Sequence, residues 1–120
     1  MTKSVTVLMS VYHRTGLADL DTALQSIWAQ TTLPEKVLIV LDGPVGPELT
    51  QLIDAHRTAW PKVLRTIPLP TNQGLGIALQ AGLSEVETTF VARLDSDDIA
   101  APHRIATQLA VSYTHLTLPT

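Results

Sequence analysis

Four short apolar runs divide the chain at regular intervals. They are rich in Val, Leu and Ile and carry few charges, which is typical of strands buried on both faces of a parallel sheet. The predicted strands cover residues 5–12, 36–42, 62–69 and 88–95.

Segments with helical periodicity separate these runs, with apolar residues recurring every three or four positions. The first segment begins near Leu17. Pro47 and Pro102 suit the first turns of the second and fourth, because proline lacks the N–H that a helix start leaves unpaired. The third, residues 74–83, is apolar almost all round and predicts a buried helix.

The resulting order, β-α repeated four times, predicts an α/β fold: a Rossmann-like parallel sheet with helices on both faces. In such folds ligands bind beyond the carboxyl ends of the strands, where the strand order reverses. Polar residues follow each predicted strand, so we expect their side chains to converge at that edge. They are Ser10, Tyr12, Asp42, Asn72 and residues 95–98.

Composition narrows the class of protein. The chain has 120 residues, of which 45% are hydrophobic, so it can bury the core of one domain. Its net charge of −3 argues against nucleic acid as a partner, because nucleic acid usually meets a basic surface. The absence of cysteine fits a cytoplasmic location, and no apolar stretch reaches the roughly 20 residues that a membrane span needs.

Three carboxylates stand close together at the end of the fourth run: Asp95, Asp97 and Asp98. Because like charges at this spacing repel, a cation is expected among them. Asp95 and Asp97 form a D-x-D pattern, whose oxygens suit Mg²⁺ or Mn²⁺, and such a cation can also bind a substrate diphosphate. The alternative is structural: Asp98 caps the helix that begins at Pro102.

Other candidate residues each have two interpretations. Asp42 either belongs to a turn or accepts hydrogen bonds from a nucleoside, and Tyr12 is either a half-buried aromatic or stacks on a base. For Gly74 and Gly76, a tight turn and close helix packing are favoured over a phosphate loop. Asn72 contacts the ligand or shapes the loop.

Arginine and histidine residues surround these candidates. Arg93 and Arg104 flank the aspartates and either neutralise them or contact a diphosphate, with a local salt bridge as the alternative. His13, His56 and His103 share no metal-ligand spacing. His56 is expected on a helix face, and none of the three is assigned to catalysis.

Several stretches together resemble the N-terminal half of a family 2 inverting glycosyltransferase with the GT-A fold. They are VTVLMSVYHR, SIWAQTTLPEKVLIVLDGP, NQGLGIALQAGL and ARLDSDDIAAPHRIATQLA, and the resemblance extends over residues 3–110. The last stretch looks like bacterial members that build capsular, exopolysaccharide or lipopolysaccharide glycans. The family's second strand usually ends in D-D-G-S, where this chain has L-D-G-P, so Asp42 keeps the position that contacts the nucleotide.

The resemblance implies a donor site for a nucleotide-sugar. Asp97 is implied as the direct metal ligand, and Asp95, the second member of the metal pair, lies nearer the ribose or sugar. Tyr12 is implied against the base, Asp42 at the base or ribose, and Arg93 near the diphosphate or sugar. The full implied nucleotide-sugar-binding set is Ser10, Tyr12, Asp42, Asn72, Arg93, Asp95 and Ser96.

The resemblance also implies the reaction of a full-length enzyme. A sugar passes with inversion from a UDP-linked donor to a hydroxyl of a glycan or lipid-linked acceptor. Mg²⁺ or Mn²⁺ is the expected cofactor, and the expected location is cytoplasmic, at the inner face of the membrane. The general base belongs to an acceptor-binding half beyond residue 110. No catalytic base is therefore assigned within this chain, and residues 1–110 are expected to be inactive alone.

Two other classes stay open, together with the nature of the last ten residues. A nucleotidyltransferase also combines an α/β sheet with acidic metal ligands, but SVYHRTGLADL is a poor match to its triphosphate loop. An inactive product of a truncated gene is the other. Residues 111–120, VSYTHLTLPT, resemble a translated sequencing adaptor, which predicts a non-native tail after a donor-binding domain at 1–110. An ordinary Thr-rich loop is the alternative.

Overall fold

A parallel sheet forms the centre of the protein. The computed structural model describes residues 4–96, 100, 102 and 105–106. Within these residues the strands are β1 (Val5–Val11), β2 (Lys36–Leu41), β3 (Leu64–Pro68) and β4 (Phe90–Arg93). All neighbouring strands are parallel, in the order β3-β2-β1-β4. The predicted α/β fold is therefore confirmed.

Three helices connect the described strands: α1 (Leu17–Trp28), α2 (Pro47–Ala59) and α3 (Leu75–Leu83). Pro47 occupies the first turn of α2, as predicted. The third strand begins later than predicted, because Trp60 accepts hydrogen bonds from the N–H groups of Val63 and Leu64 in a turn. Residues 105 and 106 are helical, in the segment that Pro102 was predicted to open.

The two faces of the sheet carry separate apolar clusters. Since successive side chains of a strand point to opposite faces, Met9 packs in the cluster with α1 and α2, and Leu8 packs in the other with α3. The α1–α2 cluster is the larger, and it includes fully buried Leu24 and Ile27. Helices therefore cover both faces, as expected for a doubly wound sheet.

Helix α3 is not the buried helix that its composition predicted. Ala78 and Gly82 face the sheet and are buried, but Leu75 and Ile77 are 49% and 52% exposed and Leu83 is 39% exposed. A Cβ on Gly82 would overlap Leu8 Cδ1 and lie 2.9 Å from Val40 Cγ2, so the helix lies very close to the sheet. Its other side has no cover among the described residues.

A partly buried polar network, the interhelix network of Asp21, Trp28 and His56, joins α1 to α2. Trp28 Nε1–H donates to His56 Nδ1 at 3.0 Å, and His56 Nε2 lies 2.8 Å from Asp21 Oδ1. Because an indole N–H only donates, Nδ1 is the acceptor and Nε2 carries the proton given to Asp21. Trp60 stacks on Trp28 with ring centroids 4.7 Å apart. His56 is only 7% exposed, so it does more than lie on a helix face.

Candidate functional site

A cavity of about 660 Å³ opens at the carboxyl ends of the strands. The chain runs from β1 outward to β2 and β3 on one side, and β4 pairs with β1 on the other. The strand order therefore reverses between β1 and β4, which is where α/β folds place ligands. The described lining residues are Ser10, Tyr12, His13, Arg14, Asp42, Asn72, Gly74, Leu75, Asp95 and Ser96.

Asp42 is the buried carboxylate of this cavity, with 4% exposure at the end of β2. Its Oδ1 accepts a hydrogen bond from the Gln73 N–H at 2.7 Å, and its Oδ2 accepts one from the Gly74 N–H at 3.0 Å. Gly74 is the N-cap of α3, so the carboxylate also faces the positive end of that helix. Each oxygen keeps a second lone pair, which can accept a hydrogen bond from a ligand.

Two glycines fix the loop that Asp42 holds. Gly43 has φ +84°, and a Cβ there would lie 2.6 Å from the backbone N of Asn72, so only glycine permits this approach. Gly74 has φ +98° but no described atom within 4 Å of its Cβ position. Glycine is therefore favoured there by the positive φ and not by lack of space. The predicted turn role of Gly74 is confirmed. Among the described atoms none lies within 4 Å of a Cβ built on Gly76, and the predicted close helix packing is found at Gly82 instead.

A hydrogen-bonded turn after β1 forms the opposite wall. The Tyr12 N–H donates to Thr15 Oγ1 at 3.0 Å, and the Thr15 N–H donates to the Tyr12 carbonyl at 3.0 Å. The Tyr12 ring is 42% exposed, and the His13 ring packs edge-on against it with centroids 5.4 Å apart. The turn thus brings Tyr12, His13 and Arg14 to the cavity, with an aromatic face available for stacking.

Asp95 brings a second carboxylate to the cavity from the end of β4. Arg93 Nε and Nη2 donate to Asp95 Oδ1 at 3.3 and 3.2 Å, which is the local salt bridge considered as an alternative. The Asp95 side chain is 52% exposed, so part of it still faces solvent. Arg93 is not among the described lining residues; it borders a small pocket with Val7 and Ile27 on the α1 side.

The cavity thus collects most of the residues that the sequence pointed to. Ser10, Tyr12, Asp42, Asn72, Asp95 and Ser96 line it. Asp97, Asp98, His103, Arg104 and residues 111–120 lie outside the described residues. Within the described part of the chain, no group of three His, Cys, Asp or Glu residues is placed to hold a metal ion.

Three lining residues were not predicted: His13, Arg14 and Leu75. Their positions along the chain could have indicated that they line the cavity. His13 and Arg14 directly follow the end of β1, and Leu75 directly follows the Asn72–Gly74 turn, so all three belong to the edge where ligands were expected. The sequence showed this order but gave no reason to separate them from ordinary loop residues.

A comparison with family models matches residues 6–115 to the model described as glycosyl transferase family 2. The chain belongs to glycosyl transferase family 2. This membership decides between the enzyme classes considered from the sequence, because the alternative nucleotidyltransferase is a different family. It agrees with the motif resemblance of residues 3–110.

Curated family 2 relatives match most of this chain. The Erwinia amylovora amylovoran biosynthesis glycosyltransferase AmsE is 36% identical over 109 residues, covering 91% of this chain and 40% of the relative. The Escherichia coli UDP-Gal:alpha-D-GlcNAc-diphosphoundecaprenol beta-1,3-galactosyltransferase is 39% identical over 105 residues, covering 86% and 37%. The chain thus spans about 40% of the length of the curated relatives it matches.

Solved structures share the fold of this family 2 chain. S. aureus TarS 1-349 in complex with UDP matches with a TM-score of 0.78 at 24% identity, covering 94% of this chain and 33% of TarS. The mannosyltransferase PcManGT from Pyrobaculum calidifontis, in complex with GDP-Man and Mn2+, gives 0.75 at 20% identity, covering 94% and 32%. The predicted GT-A fold, in its N-terminal part, is therefore confirmed.

Proposed function

We propose that this chain is the donor-binding region of a hexosyltransferase that acts in bacterial surface polysaccharide synthesis. The full enzyme transfers a sugar from a nucleotide-sugar to an acceptor hydroxyl with inversion. The observation that carries this proposal is the cavity at the strand-order reversal, where Tyr12, Asp42 and Asp95 meet. A volume of about 660 Å³ lies within the usual range for small-molecule sites.

The lining residues divide the cavity into parts that suit a nucleotide. The exposed Tyr12 ring offers a stacking face for the base. The free lone pairs of buried Asp42 can accept a hydrogen bond from a base N–H or a ribose hydroxyl. Asn72 and Ser10 add polar groups beside them, and Ser96 stands with Asp95 at the β4 side. Asp95 there suits the ribose or the sugar.

We propose Mg²⁺ or Mn²⁺ as the cofactor, with Asp97 and Asp95 as protein ligands. Mg²⁺ usually takes one or two carboxylates and completes its shell with substrate phosphates and water. The partly exposed Asp95 carboxylate fits that donor set, and Asp97 enters through the D-x-D resemblance. When bound, the ion neutralises charge on the leaving nucleoside diphosphate.

The names of similar proteins supply the proposed donor and acceptor. The E. coli relative is named for UDP-Gal and a diphosphoundecaprenol-linked acceptor, and the TarS structure holds UDP. We therefore propose a UDP-sugar donor and a glycan or lipid-linked acceptor. The lipid-linked acceptor would place the reaction at the inner face of the cytoplasmic membrane. No helix in the described part of this chain is long and apolar enough to cross a membrane.

We propose that residues 1–110 bind the donor but do not transfer sugar. The chain covers 40% of AmsE, so most of the length of such relatives has no counterpart here. The general base that takes the acceptor proton is assigned to that uncovered part. The proposal predicts no transfer in an assay of residues 1–110 with a UDP-sugar and an undecaprenyl-linked acceptor, and robust transfer would contradict it.

Calorimetric titration of UDP into the 120-residue chain, with Mn²⁺ and with EDTA, tests the donor site. We expect binding that Mn²⁺ strengthens. Asp97→Asn should remove most of the metal-dependent part, about tenfold or more in Kd, because it takes one carboxylate from the ion. Circular dichroism on the same samples checks that each variant is folded.

Asp54→Asn is the matched control, because it removes the same charge from an exposed residue of α2 that pairs with Arg57. It should bind UDP as the unsubstituted chain does. A folded chain that binds no UDP would count against a uridine site. Equal metal dependence in Asp97→Asn and Asp54→Asn would remove Asp97 from the metal site.

A further inference from the structure

Negative charges outnumber positive charges on the described wall of the cavity. The described lining residues include two carboxylates, Asp42 and Asp95, and one permanently charged cation, Arg14. A nucleoside diphosphate brings further negative charge into this space. Unless a cation faces the phosphates, the two aspartates repel them.

Both carboxylates already have partners within the chain. Asp42 accepts the N–H groups of Gln73 and Gly74, and Asp95 accepts two N–H groups of Arg93. Arg93 is thus committed to Asp95 and stands outside the described cavity lining. Arg14 is the one arginine among the described residues that line the cavity.

Arg14 differs from the other arginines of the described chain. Arg57 pairs with Asp54, Arg65 with Glu85 and Arg93 with Asp95. Among the residues that the structure describes, the Arg14 side chain forms no ion pair or hydrogen bond, and it is exposed on the cavity wall.

The backbone that carries Arg14 is nevertheless held in place. The two hydrogen bonds between Tyr12 and Thr15 close the turn on either side of it. Arg14 therefore belongs to a hydrogen-bonded turn and lines the same cavity as Tyr12, on whose ring a base is proposed to stack. A cation next to the nucleoside wall is well placed for the phosphates attached to that nucleoside.

We infer that Arg14 binds the phosphates of the nucleotide, as a second cation that acts beside the proposed metal ion to offset the two aspartates of the cavity. This inference rests on the proposed donor site. A guanidinium group donates two parallel hydrogen bonds to phosphate oxygens and stays charged at every working pH. Its contribution grows with the number of phosphates and is absent for a nucleoside.

A ladder of uridine, UMP and UDP titrated into the 120-residue chain tests the inference. The titrations are run with Mn²⁺ and again in EDTA. In the unsubstituted chain, affinity should rise from uridine to UDP. Arg14→Gln should weaken UDP binding about tenfold to hundredfold, the range expected for a charge-assisted hydrogen bond, and leave uridine binding unchanged. Unchanged uridine binding also demonstrates that the variant is folded.

Two further variants separate charge from geometry. Arg65→Gln removes the same charge from β3, where Arg65 faces Glu85, and should leave the whole ladder unchanged. Arg14→Lys keeps the charge but loses the planar pair of donors, so its UDP affinity should lie between those of the unsubstituted chain and Arg14→Gln.

The outcomes distinguish this inference from the donor-site proposal. If the unsubstituted chain binds neither uridine nor UDP, both are overturned. If it binds UDP and Arg14→Gln binds UDP equally well, only the role of Arg14 is overturned. The role of Arg14 is also overturned if Arg14→Gln lowers the affinities for uridine and for UDP by the same factor. It is likewise overturned if Arg65→Gln lowers the UDP affinity as much as Arg14→Gln does.

Discussion

Two polar clusters of this protein both join distant segments of the chain, but they differ in whether their hydrogen-bonding groups have partners within it. The interhelix network brings Asp21, Trp28 and His56 together from two helices, and both His56 nitrogens have a partner. The cavity cluster brings together residues that follow all four described strands, but the Arg14 side chain has no described partner and Asp42 keeps open lone pairs. Polar groups that hydrogen-bond to one another stabilise the fold. Polar groups at a cavity that keep unused donors or acceptors are available to bind a ligand.

The two clusters should therefore respond differently to substitution. Breaking the interhelix network should lower the free energy of unfolding and leave nucleotide binding intact in the folded protein. Changing the cavity cluster should affect binding, and it should affect stability only where a residue also supports the cavity backbone.

The largest effect is expected from Gly43→Ala. The new Cβ would lie 2.6 Å from the Asn72 backbone N, and alanine would have to adopt φ +84°. Strain and overpacking together should cost about 2–5 kcal/mol in the free energy of unfolding, and displacement of Asn72 should weaken UDP binding. Urea denaturation and UDP titration measure the two effects.

Gly46→Ala is the matched control for Gly43. Gly46 has φ +92° but no described atom within 4 Å of its Cβ position, so only backbone strain applies, about 1–2 kcal/mol. UDP binding should be unchanged. Equal losses of stability in the two variants would mean that contact with Asn72 does not restrict position 43.

A smaller effect, about 2–4 kcal/mol, is expected from His56→Ala. The substitution opens space between α1 and α2 and leaves the Trp28 indole N–H without its partner. UDP affinity should stay unchanged at temperatures where the variant is folded. Urea denaturation, followed by tryptophan fluorescence from the Trp28–Trp60 stack, measures the loss.

His13→Ala sharpens this contrast, because it removes the same residue type from the cavity cluster. His13 is exposed and its ring makes a T-shaped contact with the Tyr12 ring, so its loss should change stability by less than about 0.5 kcal/mol. A stability loss at His13 as large as that at His56 would abolish the distinction between the two clusters.

Effects smaller than that of His56→Ala, and of opposite sign to each other, are expected from two glycines of α3. Gly82→Ala pushes a methyl group against Leu8 and Val40, and its net cost should be about 1 kcal/mol, since better helix propensity offsets part of the overpacking. Gly76→Ala meets no described atom and should stabilise by about 0.5–1 kcal/mol. Stabilisation by both, seen as raised Tm values, would mean that α3 does not lie tightly on the sheet.

The sequence predicted the order of the elements because its signals there are local. Apolar runs mark β1 and β2, and Pro47 marks the start of α2. It failed on α3, because an all-round apolar composition does not reveal how many sides of a helix are covered. Within the described residues only one side is covered, and Ile77 is exposed.

The sequence predicted where the residues of the candidate site lie, but it did not predict their hydrogen-bond partners. Asp42, Tyr12 and Asp95 stand at strand ends, and parallel topology alone brings such residues to one edge. The hydrogen bonds from the Gln73–Gly74 turn to Asp42, and the absence of a described partner for Arg14, depend on contacts between distant segments. No spacing along the chain encodes those contacts.

The place of β1 in the sheet has a consequence for how the chain is made. β1 pairs with β2 on one side and with β4 on the other. Ser4 beside β1 and Thr89 beside β4 are 85 residues apart in the chain. At about 5–20 residues per second, a ribosome needs roughly 4–17 s to add that length. Throughout that interval one edge of β1, the strand with the most buried residues in the folded protein, lacks its final neighbour, so that edge is open to chaperones or to pairing with another chain.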